Sequence, residues 1–191
     1  MLKNLLMKKF ISIVVFTFIS VLVYSQSNEK LVEKVVIKAK DLDGLVPITN
    51  ILLKYPNIIE YIPIDIPIKE KYKIRSPYGY RYHPIDKVVK FHSGIDMATE
   101  YASVVYASAS GVVKYAAFAQ GYGNMIIIQH KYGFSTYYCH LTKIYAKINQ
   151  IVKRGQPIGF AGSTGKSTGD HLHFEIRKNN RPINPTPKNN G

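Results

Sequence analysis

Apolar positions along this chain fall into three regimes. From Phe10 to Tyr24 the sequence is uncharged and mostly apolar, and Ser25, Gln26 and Ser27 end the run. Between Gln26 and Lys71 the chain is charged and proline-bearing. Leu31, Val32, Val35 and Val36 recur there at helical spacing, which predicts one short amphipathic helix. Farther on, Ile62, Ile64, Ile66 and Ile68 alternate with Pro63, Asp65 and Pro67, a pattern that puts the isoleucines on one face of an extended segment. The prolines exclude it from the middle of a sheet, so it is expected as an edge or docked arm. From Tyr72 onward short apolar runs are separated by glycine-bearing turns, over residues 103–106, 111–118, 125–130, 134–141, 156–161 and 171–177. This spacing predicts an all-β fold, a small antiparallel β-barrel or sandwich with an N-terminal extended arm. His130-Lys131-Tyr132-Gly133 reads as the turn of a hairpin. The expected plan is a leader over residues 1–25, an arm over 26–71, a β domain over 72–187 and a tail over 188–191.

Charge sharpens the reading of the leader. Lys3, Lys8 and Lys9 precede the apolar run with no acidic residue among them, and Val23-Tyr24-Ser25 fits a cleavage site of the small-residue kind. A basic start, a short apolar run and a small residue at the exit make a secretory signal peptide. The run is shorter than the roughly 20 residues of a membrane-spanning helix. An uncleaved N-terminal anchor is the alternative, and no cysteine near the site offers a lipoprotein attachment. Losing the leader takes away three lysines, so the formal charge falls from +14 to +11. An exported protein with this excess is expected to meet a polyanionic surface, in the periplasm, the cell envelope or outside the cell. Nucleic acid is disfavoured as a partner by export and by the lack of a recognition motif. The lone Cys139 forms no internal disulfide, so packing, with or without metal, has to hold the fold.

The histidines carry the chemistry. On a strand over 171–177, His171, His173 and Glu175 share one face, while Leu172, Phe174 and Ile176 share the other, the natural core side. Two imidazoles beside a carboxylate on a rigid element suit zinc, although paired structural histidines would give the same pattern. His92 and Asp96, four positions apart, fall on one face of either a strand or a helix. Alone that pair is weak. His140 shares its strand face with Tyr138, and alternation turns the neighbouring Cys139 the other way, which argues against a cysteine–histidine nucleophile. Gly162-Ser163-Thr164-Gly165-Lys166-Ser167 superficially matches a phosphate loop, but Phe160 stands where the first glycine belongs. His83, ahead of His92 at a place that could line the groove mouth, reads as a structural or merely exposed loop histidine, and His130, which closes a strand before a turn, reads as structural.

In order along the chain come Ser76-Pro77-Tyr78-Gly79-Tyr80-Arg81, His92-Ser93-Gly94-Ile95-Asp96, Gly121-Tyr122-Gly123-Asn124 and Tyr138-Cys139-His140-Leu141. Gly162-Ser163-Thr164-Gly165 follows, and last Thr168-Gly169-Asp170-His171-Leu172-His173-Phe174-Glu175. In these segments, over residues 76–185, the chain resembles the lysostaphin/LytM-type zinc metallopeptidases, which hydrolyse cross-links of bacterial peptidoglycan. The resemblance implies that His92, Asp96 and His173 hold one Zn²⁺ per chain and that His140 and His171 are the catalytic histidines. It implies a zinc endopeptidase acting on the stem or bridge peptides of the wall by direct attack of water. The alternatives are a scaffold on the same fold that grips peptidoglycan or activates an amidase without hydrolysis, and a zinc carboxypeptidase that trims stems. The arm before Tyr72 is read as a brace rather than a cover for the groove.

Overall fold

A computed structural model of the chain describes residues 25–82 and 87–186. The apolar leader up to residue 24, His83 and the tail over 188–191 lie outside the described residues. The chain divides into two compact units, residues 1–38 and 39–191. Of the first, residues 25–38 are described, and they form the helix α1 that the spacing of Leu31, Val32, Val35 and Val36 predicts. Among the described residues no helix is long and apolar enough to cross a membrane.

The second unit is a layered β structure. Its strands are β1 (Lys73–Ser76), β2 (Gly79–Tyr82), β3 (Val89–His92), β4 (Ile95–Ala98), β5 (Val104–Tyr106), β6 (Gly111–Ala119) and β7 (Gly123–Gln129). After them come β8 (Phe134–Leu141), β9 (Lys143–Ile144), β10 (Ile151–Val152), β11 (Pro157–Phe160), β12 (His171–Lys178) and β13 (Arg181–Ile183). The largest sheet runs β1-β4-β12-β8-β7-β6-β10, with β13 paired to the far end of β12. A three-stranded sheet, β5-β11-β9, and the ribbon β2-β3 complete the set. Every pairing is antiparallel.

Alternation explains which face each strand buries. Leu172, Phe174 and Ile176 of β12 are buried, as are Ile126 and Ile128 of β7 and Tyr138 of β8. Burying each large apolar side chain contributes about 1.5–3 kcal/mol. The small sheet lies over this face. A Cβ on Gly159 of β11 would sit 3.4 Å from Leu141 Cδ1 and 3.6 Å from Ile126 Cδ1. The two layers make a sandwich-like body rather than a closed barrel. Residues 131–133 turn β7 into β8, as the hairpin reading expects. The strands that the apolar pattern does not announce are short or largely exposed. In β1 the burial runs exposed, exposed, exposed, intermediate, and in β3 only His92 is buried.

The segment before β1 departs from the expected extended arm. It opens with a 3₁₀ turn at Asp43–Ile48 and two helical turns, Thr49–Leu52 and Pro56–Ile59. Pro56 stands at the start of the last turn, where a missing N–H costs nothing. Ile62 and Ile68 are buried but Ile64 and Ile66 are exposed, because Pro63 and Pro67 turn inward and break the period of two. Arg154 fixes the segment, donating to the carbonyls of Ile59 and Ile62 and to Asp65 Oδ1 at 2.7 Å. Tyr106 of β5 donates its N–H to Pro67 O at 2.9 Å, so the end of the arm docks on a sheet edge.

His130 sits beneath this seam, 5 % exposed. The Ser110 carbonyl accepts from its Nδ1 at 2.8 Å, and Thr136 Oγ1 lies 2.8 Å from its Nε2. Burial pushes its pKa down to about 4. An unfolded imidazole titrates near 6.5, so as the pH falls the unfolded chain takes up the proton first. The neutral ring therefore contributes fully above about pH 6.5, and stability is lost between about 6.5 and 4, by roughly 3 kcal/mol. Urea unfolding of the wild type and of His130→Gln at pH 7.5, 5.5 and 4 should give a visibly flatter acid limb in the variant. Parallel limbs would contradict the assignment.

Candidate metal centre

Three elements bring His92, Asp96 and His173 together. His92 ends β3, a turn through Ser93 and Gly94 follows, and Asp96 lies in β4. The pair therefore meets across a turn between two sheets, not along one face of a single strand or helix as the four-residue spacing predicts. Gly94 allows the turn to press on β12, because a Cβ there would fall 2.3 Å from the Phe174 carbonyl oxygen. β12 pairs with β4 so that His173 stands opposite Asp96. His92 Nε2, His173 Nδ1 and Asp96 Oδ1 end up 2.9–3.1 Å from one another.

The donor set fits a single zinc ion. Two imidazole nitrogens and a carboxylate oxygen this close can all reach one centre at the roughly 2.0–2.2 Å typical of zinc. The outer contacts fit as well. His92 donates from Nδ1 to the Pro77 carbonyl at 2.8 Å, which leaves Nε2 as its ligand atom. His173 Nε2 lies 3.0 Å from Glu175 Oε1, which leaves Nδ1 facing Asp96. Glu175 itself is fully buried, held by Ser93 Oγ at 2.5 Å and by Arg177 Nε at 2.8 Å. Burial opposes charge on His173, but Asp96 and Glu175 outweigh it and hold its pKa at about 9. Burial likewise works against an ionised Asp96, yet His173, and after it His92, hold its carboxyl well below the usual carboxylate range. Glu175 was visible in the sequence only as a neighbour on the same face. Its role behind His173 comes from the fold.

His140 and His171 flank the three donors. Their rings are 4.7 Å apart, and His140 lies 6.0 Å from the ring of His173. Both tautomers are set by backbone carbonyls. His140 donates from Nδ1 to Thr164 O at 2.8 Å and His171 from Nδ1 to Gly169 O at 2.7 Å, so each offers its Nε2 lone pair. Burial pushes the pKa of His140 down to about 4, and the ring is neutral at pH 7. Strict alternation would send His140 to the core with Tyr138. The backbone prevents this: β8 carries one extra residue relative to β7 between Tyr138 and Leu141, and His140 has φ 61°. A bulge of this kind re-aims a side chain, and here it turns His140 toward His171. Cys139 consequently takes the place opposite His173, yet burial, and then Glu175, raise its thiol pKa well above the ordinary value. The thiol is inert because it is buried and protonated, not because alternation turns it from His140.

The loop dismissed as a phosphate site has a structural task. Gly123 and Gly165 both have positive φ, and a Cβ on Gly123 would lie 2.4 Å from Thr164 O, while one on Gly165 would lie 2.3 Å from Gly123 N. Two loops can touch only because both positions lack side chains, and the contact delivers the Thr164 carbonyl to His140. All five histidine and aspartate positions named from the sequence line one groove of about 280 Å³, with Tyr122, Arg81 and Lys90 along its walls. Among the described residues of the second unit, none between 39 and 71 lines it. His130 is structural, as expected.

Removing the charge behind His173 should loosen the centre without touching a ligand. Glu175→Gln is expected to weaken zinc binding roughly 10- to 100-fold, measured by competition with a chromophoric chelator. Unchanged affinity would remove Glu175 from the metal centre.

Residues 90–185 match Peptidase family M23. The DD-carboxypeptidase/endopeptidase Mpg of Neisseria meningitidis serogroup B is 46 % identical over 113 residues, which cover 59 % of this chain and 26 % of that protein. This chain thus spans about a quarter of the length of such relatives. Among solved structures, a zinc containing peptidase from Vibrio cholerae is 39 % identical with a TM-score of 0.60, over 64 % of this chain and 39 % of that one. The catalytic domain of lysostaphin from Staphylococcus simulans is 34 % identical with a TM-score of 0.55, over 60 % of this chain and 89 % of that one. The matched span holds all three donors and both flanking histidines, and with that span the chain belongs to peptidase family M23.

Proposed function

We propose that this protein is an exported, zinc-dependent endopeptidase that hydrolyses peptide cross-links of bacterial peptidoglycan. The observation that carries the proposal is the convergence of His92, Asp96 and His173 within 3.1 Å, with His140 and His171 alongside. The names of the relatives support the substrate, since the Neisseria protein is a DD-carboxypeptidase/endopeptidase and lysostaphin an antimicrobial peptidase. The basic leader supports export and a place in the cell envelope or outside the cell. The stoichiometry proposed is one Zn²⁺ per chain.

When bound, Zn²⁺ supplies a Lewis acid that makes water acidic near neutral pH and polarises a carbonyl. The rest of the chemistry belongs to side chains. His140 and His171 each present a basic Nε2 to the groove and a committed N–H behind it. Either ring can take the proton of the attacking water, and once protonated can donate to the oxygen of the tetrahedral adduct or to the departing amine. The neutral state of His140 suits it to begin as an acceptor. The buried, protonated Cys139 has no part in attack, so water adds directly and no acyl-enzyme forms.

Digestion of purified cross-linked peptidoglycan, with the released fragments read by mass spectrometry, tests the reading. The zinc-loaded protein should remove cross-linked dimers. Chelation should abolish this, and His140→Ala or His171→Ala should slow it roughly 10²- to 10⁴-fold. Dimers that survive although zinc is bound would contradict the endopeptidase and favour a scaffold. Release of single terminal residues alone would identify a carboxypeptidase.

A further inference from the structure

We propose that the pole of the sheet opposite the catalytic groove is a peripheral docking surface for an anionic lipid bilayer. Docked there, the protein holds its groove away from the membrane. The inference goes beyond the endopeptidase reading and uses none of its residues.

Between Glu100 and Asp170 the chain has seven basic residues and no acidic one. That span folds into β5 to β11 and so supplies β6, β7, β8 and β10 of the large sheet. Three of its lysines, Lys114, Lys131 and Lys153, line a cavity of about 690 Å³ together with Tyr61, Val112 and Ile151. Glu60 is the only acid among the described residues that line it, and Ser110 Oγ and Arg154 already engage its carboxylate. None of the three lysines forms an ion pair with a carboxylate among the described residues. Their charge is left for a partner.

Apolar groups share this surface. β10 is the edge strand of the large sheet, and its Ile151 is 78 % exposed. Asn149 donates its N–H to the Val113 carbonyl at 2.8 Å, and Val113 donates its own to Gln150 O at 2.9 Å. These bonds hold the turn that carries Lys147 and Ile148 beside Lys114, and Ile148 is 62 % exposed. Lys131 lies over Tyr61, with its Nζ 4.0 Å from the ring centroid. A surface that meets a membrane combines these two features, apolar groups that enter the headgroup region and lysines that reach its phosphates. A soluble polyanion rewards the lysines alone, because an exposed isoleucine gains nothing from a hydrated polymer. An anionic bilayer rewards both, at roughly fivefold in affinity per lysine.

Position gives the docking a purpose. Gly111 and Val112 at the start of β6 line the cavity, and Gln120, Gly121 and Tyr122 just past its end line the catalytic groove. At about 3.3 Å per residue, the nine residues of β6 set the two roughly 25 Å apart. A protein resting on a bilayer by this pole presents its groove outward, toward the wall.

Co-sedimentation with vesicles, in the presence of zinc, tests the surface. The chain is taken as cells export it, so any retained leader contributes equally to wild type and variants. Vesicles of phosphatidylcholine mixed with phosphatidylglycerol should bind it at least about tenfold more tightly than phosphatidylcholine alone, and salt should weaken this preference. Lys114→Gln, Lys147→Gln and Lys153→Gln together should cost roughly a hundredfold in affinity. Ile148→Ser with Ile151→Ser should cost about tenfold. Both variants change only exposed side chains, so their melting temperatures and their cleavage of a soluble cross-linked peptide should match the wild type. No preference for anionic vesicles, or one that survives the lysine substitutions, would overturn the docking surface. Loss in the lysine variant but not in the isoleucine variant, with equally tight capture of soluble polyphosphate, would put a hydrated polyanion in the bilayer's place. Docking is read without cleavage, so a protein that docks as expected but cuts nothing contradicts the endopeptidase alone.

Discussion

Everything at the centre of this protein depends on three donor atoms held about 3 Å apart where little water reaches. Two imidazole nitrogens and a carboxylate oxygen face one another at that distance only with a proton or a cation shared among them. Asp96 and Glu175 favour a proton on His173, raising its pKa to about 9 against the effect of burial. The surrounding fold makes sense as the means of keeping this arrangement from relaxing. β4 and β12 pair so that Asp96 and His173 stand opposite, and Gly94 lets the β3–β4 turn press against β12 to bring in His92. Pro77 and Glu175 then orient the two rings from behind.

A second layer of positioning uses backbone rather than side chains. Two loop carbonyls, those of Thr164 and Gly169, decide which nitrogen of His140 and His171 is basic. The glycines at 123 and 165 let the loop that carries Thr164 press against the turn before β7. The bulge in β8 performs the largest correction, turning a residue that alternation assigns to the core into one that faces the groove. Backbone irregularity occurs elsewhere in the sheet too, as between Val113 and Tyr115, but in β8 it serves the site.

Much of this was legible in the sequence. Period-two runs found β5, β6, β7, β8, β11 and β12 to within two residues, because each buries one face against the core. The face of His171 and His173 followed from the same rule. Short strands such as β9 and β10 bury too little to leave a pattern, and β1 to β3 are mostly exposed. The arm misled because alternating isoleucines look extended on paper, whereas Pro56, Pro63 and Pro67 fold the chain into turns and Arg154 pins it there. The orientation of His140 was hidden for a related reason. A bulge is a property of two strands in register, and one strand's sequence does not disclose it. The roles of Glu175 and the Thr164 carbonyl likewise arise only when distant segments meet.

The convergence of His92, Asp96 and His173 on one ion is the claim on which the rest stands. X-ray absorption at the zinc edge of the metal-loaded chain, with the metal content of the same sample, tests it most directly. The account predicts one zinc per chain, nitrogen and oxygen neighbours at about 2.0–2.2 Å, and outer-shell scattering from two imidazoles. It predicts that His92→Ala removes one imidazole. A sulfur neighbour near 2.3 Å, which would bring in Cys139, or a chain that takes up no zinc, would contradict it.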